Sequence, residues 1–329
     1  MNIDTSLLLK LCSAFGPSGH EGGISELIAS ELRGLADEIY TDALGNLVAR
    51  RKGAGKRVML AAHMDSVGLI VTNITEDGFL YCAPVGGVSP FYALSGYVRF
   101  ESGVRGVIMC GTKTKRAELK LSDMFIDVGA RDEKEAAALV NVGDACIIEH
   151  EGFIQNGRVF SNFLDDRIGC FVLIEAFKRL KETENDVYFV FTVQEELGLR
   201  GARAVSYAIA PDLALSVDVM TAPDTPDSSG HGLVIGGGVG IKVKDGSVIT
   251  HREVRMKLTD IARECGIKHQ LEVAPSGGTD AGAIHVSRAG VKTGGLSVPS
   301  RYTHSAGECI DLADAEAAIS LLSEFAARQ

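Results

Sequence analysis

An α/β fold is the architecture this sequence predicts, with a mixed central sheet, helices on both faces and a small β-barrel-like domain inserted in the chain. Three observations carry that expectation. Apolar runs of strand character alternate with helix-period segments toward both ends of the chain, as a mainly parallel or mixed sheet with helical crossovers requires. Over 71–160 this alternation gives way to short β-rich segments separated by Gly and Asp turns. At 329 residues, 46 % hydrophobic and 23 % charged, the chain exceeds one ordinary domain and can bury a large core. The expected division is a main domain of 1–70 and 161–329 interrupted by a β domain of 71–160.

The elements follow in order. Leu7 to Phe15 is apolar at helical spacing, Gly16-Pro17-Ser18-Gly19 breaks it, and Ile24, Leu27, Ile28 and Leu32 mark a second helix. Strand-like runs come next at Asn46–Ala49 and Arg57–His63. Inside the insert, Leu80–Cys82, Val98–Phe100, Gly106–Met109 and Ala145–Glu149 read as strands. Beyond it, Ile168–Leu180, Glu253–Cys265 and Leu312–Ala327 read as helices, and Val187–Val193, Ala214–Val219 and Val291–Ser297 as strands.

Composition narrows the function. A formal charge of −10 and a pI near 5.3 offer no electrostatic footprint for nucleic acid or an anionic membrane. Trp is absent, so no indole stacking platform is available for sugars or bases. Seven cysteines without a C-x-x-C pair read as reduced core residues. The start, with Asp4 ahead of a short apolar run broken by Lys10, lacks signal-peptide form. A cytoplasmic location is expected.

Ligands of open α/β sheets gather beyond the carboxyl ends of strands, so polar residues that follow apolar runs are informative. Arg57–His63 leads to His63-Met64-Asp65, Val187–Val193 to Gln194-Glu195-Glu196, and Leu213–Val217 to Asp218. Asp165 and Asp166 open the helix after the insert, and His304 follows the last strand. Each alone has a plain structural explanation: a helix cap, a solvated turn, a loop histidine. Together they supply hard oxygen and imidazole donors from five strand or loop ends, the pattern of a metal site. Asp65, Asp165, Glu195, Glu196 and Asp218 in one crevice would repel one another, and two divalent cations nearly balance five carboxylates where one does not. Imidazole with carboxylate and no thiolate suits Zn²⁺, Co²⁺ or Mn²⁺.

Six motifs then carry a specific resemblance: Ala61-Ala62-His63-Met64-Asp65, Leu164-Asp165-Asp166-Arg167, Gln194-Glu195-Glu196-Leu197-Gly198, Val217-Asp218-Val219, Gly277-Gly278-Thr279-Asp280-Ala281 and Arg301-Tyr302-Thr303-His304-Ser305. In this order the sequence resembles peptidase family M42, the glutamyl and deblocking, TET-type dinuclear metallo-aminopeptidases. That resemblance implies a zinc-exopeptidase-like catalytic domain with an inserted dimerisation domain. It implies two metal ions per subunit, zinc or cobalt: His63 and Asp218 on one, Glu196 and His304 on the other, Asp165 bridging. Glu195 would be the general base, acting on water between the ions, and Asp65 would take the second N–H of His63. A cis peptide between Asp165 and Asp166 is implied as well. Ser66, where many relatives carry Glu, and Asn162-Phe163, where Lys-Ala is frequent, depart from the family pattern at positions that are not metal ligands.

The expected activity is removal of N-terminal residues from peptides with a free N-terminus. Two alternatives stand beside it: a glycosidase, since paired carboxylates also cleave glycosides, and a non-catalytic metal-binding scaffold. Selectivity is expected to lie in the loops Asp227–Gly240 and Gly277–Ala281. Phe79–Phe100 holds six of the twenty aromatic side chains. A small insert cannot bury them all, so a homo-oligomer is expected, and the resemblance implies dimers and tetrahedral dodecamers.

Overall fold

The computed structural model describes residues 3–115, 118–228 and 232–329. The middle of the expected selectivity loop, 229–231, lies outside the described residues. Eleven strands form one sheet. At its centre Asp186–Thr192, Arg57–His63, Leu213–Thr221 and Lys292–Arg301 run parallel, in that spatial order. Leu47–Arg51 and then Glu38–Thr41 extend it antiparallel on one side; Glu308–Asp311, Arg158–Ser161 and Phe153–Gln155 extend it on the other. Val239–Lys244 pairs antiparallel with Lys292–Arg301 and parallel with His269–Val273.

The central strands are largely apolar between their ends because both their faces are covered. All seven residues of Asp186–Thr192 are buried, as are six of the seven in Arg57–His63. Side chains alternate between faces. Val58, Leu60 and Ala62 join the larger core, against helices Thr5–Ser13, Gly22–Leu32, Leu164–Arg179, Arg252–Glu264 and Leu312–Ala327. Met59 and Ala61 face helices Arg200–Ile209 and Asp280–Ile284 through Val205 and Ile284. Helix Arg200–Ile209 was not anticipated from the sequence, since only Ala202, Val205 and Ile209 supply its apolar stripe.

Six strands close into a barrel in the order Gly68–Ile74, Leu80–Val85, Met124–Asp127, Arg105–Cys110, Tyr97–Phe100 and Ala145–Glu149. Its own core is built on Leu69, Leu80, Phe100, Ile108, Ile126 and Cys146. Phe153–Gln155 and Arg158–Ser161, read with the insert from their composition, hydrogen-bond into the main sheet instead, with Val159 opposite Ile310. A short strand of this composition fits either sheet, so only the partner strand decides. Phe100 is buried, whereas Phe91, Tyr92 and Tyr97 are 80 %, 43 % and 70 % exposed. All seven cysteines are free, but only Cys12, Cys146, Cys170 and Cys309 lie in cores; Cys82 and Cys110 are half-buried and Cys265 is exposed, because that last residue ends a surface helix. No helix among the described residues is long and apolar enough to cross a membrane.

Candidate metal and catalytic site

The carboxyl ends of the parallel strands converge on one cleft. His63 is the last residue of its strand, and Asp218 lies on the neighbouring one. After Thr192 the chain turns at Gln194, whose φ of +54° ends the extended run and lets both Glu195 and Glu196 reach the same side. Left-handed φ values at Tyr302 and His304 bend the loop after Arg301 in the same way. Asp165 arrives from the start of helix Leu164–Arg179, preceded by Phe163 at φ +56°, and the Asp165–Asp166 peptide is cis.

The donor atoms face one another. His63 Nε2 lies 3.0 Å from Asp165 Oδ1; His304 Nε2 lies 3.2 Å from Asp165 Oδ2 and 3.1 Å from Glu196 Oε1. Asp165 therefore stands between the two imidazoles. Donor atoms of His63, Asp165 and Glu196 all lie within 4.8 Å of one another, and so do those of His63, Asp166 and Asp218. Asp166 enters this second group although the sequence suggested only a helix-opening role. It performs that role too, accepting the Gly169 N–H at 2.9 Å through Oδ1, while its buried Oδ2 has no hydrogen-bond partner among the described residues.

Asp65 is completely buried and works on two elements at once. Its carboxylate accepts the Ser18 hydroxyl at 2.6 Å and the backbone N–H groups of Glu195 and Glu196 at 2.9 and 3.2 Å. His63 Nδ1 lies 3.2 Å from the Asp65 carbonyl oxygen and 3.4 Å from its carboxylate. Asp65 thus orients the imidazole and ties the glutamate turn to the same strand end.

The electrostatics are those of an acidic crevice short of cations. Burial pushes the Glu195 carboxyl up to about 10, with Asp218, Asp280 and Glu196 adding repulsion and His63 opposing it. Burial and the Asp165 charge raise Asp218 well above the usual carboxylate range, and burial with Asp218 does the same to Asp166. Asp165 and Glu196 raise His304 to about 11. Against the effect of burial, Asp165 and Asp65 hold His63 well above its ordinary value, and Asp165 itself is lowered by His304 and His63. The facing carboxylates thus favour positive charge at these two imidazoles. A divalent cation fits the same donors, all hard oxygen or imidazole nitrogen.

Two contributors escaped sequence reasoning. Glu308, 2 % exposed, accepts the backbone N–H of Asp165 at 2.9 Å and that of His304 at 2.7 Å, pinning two loops together. Its only sequence signal is its place four residues after His304. The second is Gly87, just beyond a barrel strand: its carbonyl oxygen lies 3.0 Å from His304 Nδ1, and a Cβ there would approach that nitrogen to 2.8 Å. Only glycine lets the barrel backbone come so close.

A central parallel sheet that collects carboxylates and imidazoles at its carboxyl edge, with a closed barrel inserted in the chain, is the zinc-exopeptidase-like fold. Residues 45–321 match the M42 glutamyl aminopeptidase family. A putative aminopeptidase of Acetivibrio thermocellus is 45 % identical over 319 residues, 97 % of each chain. An aminopeptidase from the archaeon Desulfurococcus kamchatkensis superposes with a TM-score of 0.95 at 37 % identity, over 98 % of this chain and 94 % of that one. The Pyrococcus horikoshii TET1 peptidase, described as assembling into a tetrahedron or a large octahedral shell, gives 0.90 at 34 % identity over 99 % of both chains. The chain belongs to peptidase family M42, whose members are hydrolases acting on peptide bonds.

Proposed function

We propose that this protein is a dinuclear metal-dependent aminopeptidase that removes N-terminal residues from peptides. The observation that carries this reading is the unequal pairing of the two adjacent glutamates: Glu196 engages His304 at 3.1 Å, while the Glu195 carboxylate lines the cleft and accepts no hydrogen bond from any described residue. This asymmetry supports a ligand role for Glu196 and a base role for Glu195. In this reading His63 and Asp218 would hold one ion, Glu196 and His304 the other, and Asp165 would be shared by both, with zinc or cobalt suited to the donors. When bound, the two ions supply Lewis acidity, which makes water acidic enough to attack near neutral pH and stabilises charge on the peptide carbonyl oxygen. Glu195 takes the proton of the attacking water and delivers it to the leaving amine. Asp65 keeps His63 Nε2 turned toward Asp165 and holds Glu195 at the cleft through its backbone N–H. Asp166 stays at the helix start beside the ligands.

The test is metal analysis of the purified protein together with a panel of aminoacyl p-nitroanilides, with and without chelator. Two equivalents of metal and chelator-sensitive cleavage are expected. Cleavage of a glucan that survives the chelator would favour the glycosidase alternative, which needs no metal. Full metal occupancy without cleavage of any aminoacyl substrate would favour the scaffold.

Glu308 provides a second check. Glu308→Gln retains the volume but presents an amide N–H₂ to one of the two backbone N–H groups it must accept. Metal affinity is expected to fall about 10- to 100-fold, read as loss of close to one equivalent on dialysis with an unchanged far-UV spectrum.

The inserted barrel, whose strands run from Gly68 to Glu149, is proposed as a dimerisation domain. Phe91, Tyr92 and Tyr97 support this as large exposed apolar side chains within one short segment of it, as do the assemblies of the TET1 relative. Light scattering at micromolar concentration should show a dimer or a larger multiple; a stable monomer would contradict it.

A further inference from the structure

The open cleft beside the site has a volume of about 600 Å³, room enough for the first residues of a peptide. Apart from the residues already assigned to ligation and proton transfer, its walls include Leu199, Val219, Met220, Thr221, Ala274 and Pro275. The Thr221 hydroxyl lies 3.0 Å from that of Thr303, so these two wall hydroxyls satisfy each other.

Among the described residues no Lys or Arg lines the cleft. Arg301, two residues before Thr303, is held by Asp224 through Nε at 2.6 Å and Nη2 at 2.9 Å. Lys242 is completely buried against Asp245, at 3.2 Å, and Glu272. Lys244 donates to the Ala274 carbonyl oxygen at 3.3 Å, outside the lining. The carboxylates that do line the cleft, Asp165, Glu195, Glu196 and Asp218, all belong to the proposed metal and base set, so none is spare for a cationic side chain.

We propose that the subsite beside the metal centre takes an uncharged, apolar N-terminal side chain of the Leu or Met kind and selects against Glu, Asp, Lys and Arg. This rests on the aminopeptidase reading and refines it, since the family's description carries the word glutamyl while, among the described residues, these walls hold no Lys or Arg for a glutamate. A charged side chain entering here loses its hydration without gaining a partner, and sites discriminate strongly against such unpaired groups. An apolar side chain instead exchanges water for Leu199, Val219 and Met220.

The experiment compares kcat/KM for Leu, Met, Ala, Glu, Asp, Lys and Arg p-nitroanilides on the metal-loaded protein, with metal content measured on the same sample. Leu and Met are expected to exceed all four charged substrates by about 10²-fold or more. A preference for Glu, which Lys244 could then serve, or for Lys or Arg overturns the inference and leaves the aminopeptidase reading standing. No cleavage of any member at full metal occupancy overturns both. Met220→Arg supplies a cation to the wall and is expected to raise the Glu to Leu ratio at least tenfold; an unmoved ratio, with cleavage of the Leu substrate retained, overturns the assignment of this wall to the side-chain subsite.

Discussion

Glu195→Gln is expected to leave the metal content near wild type while the turnover number falls by about 10²- to 10⁴-fold. The substitution preserves size and removes the proton acceptor, and the Glu195 backbone N–H that Asp65 accepts at 2.9 Å is untouched. Glu196→Gln should behave differently. Its carboxylate lies 3.1 Å from His304 Nε2, so its loss removes an anionic donor, weakens one of the two ions and leaves activity partly recoverable with excess metal. Elemental analysis beside steady-state kinetics separates the two. Metal lost from Glu195→Gln and kept in Glu196→Gln would mean the roles are exchanged. Unchanged activity in both would mean that peptide bonds are cut elsewhere.

Chelation should destabilise the protein, and increasingly so as pH rises. Without metal, the folded-state pKa of Glu195 is about 10 and that of His304 about 11, against unfolded values of about 4.3 and 6.5. Asp166, Asp218 and Glu308 are also raised, mainly by burial. Over this interval the folded state binds more protons than the unfolded chain, so its stability declines as pH climbs toward 10 to 11. Asp65 and Asp165 are lowered, chiefly through His63 and His304 against the effect of burial. Their stabilising contribution is full above about pH 5 and is lost as pH falls below it. Bound cations replace those protons and remove the decline. The gap between melting temperatures with and without metal is expected to widen by about 5 to 10 °C between pH 6 and 8.5, as measured by calorimetry. A gap that narrows with rising pH would contradict the clustering of carboxylates on which the site depends.

Much of the site was legible because its residues follow apolar runs. His63 closes a run that remains a strand to its last residue, and the Glu195-Glu196 pair follows one that is buried throughout. Strand ends are where open α/β sheets present side chains, so the donors could be collected before their mutual distances were known. The roles of the two glutamates were less accessible. Adjacent residues in an extended segment point to opposite faces, and the left-handed turn at Gln194 that brings both inward carries no glycine to announce it.

The proposed ligand and base roles rest on the resemblance to family M42, whereas by itself the sequence determined the alternation of strand and helix, the change to short β segments in the middle, and the candidate residues His63, Asp165, Glu195, Glu196, Asp218 and His304 at strand and loop ends. Each is written in local periodicity or in residue type at a strand end. Tertiary structure alone decided which sheet the strands at 153–161 join, since short strands of this composition fit either partner. It also decided that Glu308 would grip the Asp165 and His304 loops through their backbone N–H groups, and that a barrel turn would bring the Gly87 carbonyl against His304. These last contacts join segments as far as 217 positions apart in the chain, and they engage backbone atoms, which are the same in every residue and leave no mark in its type.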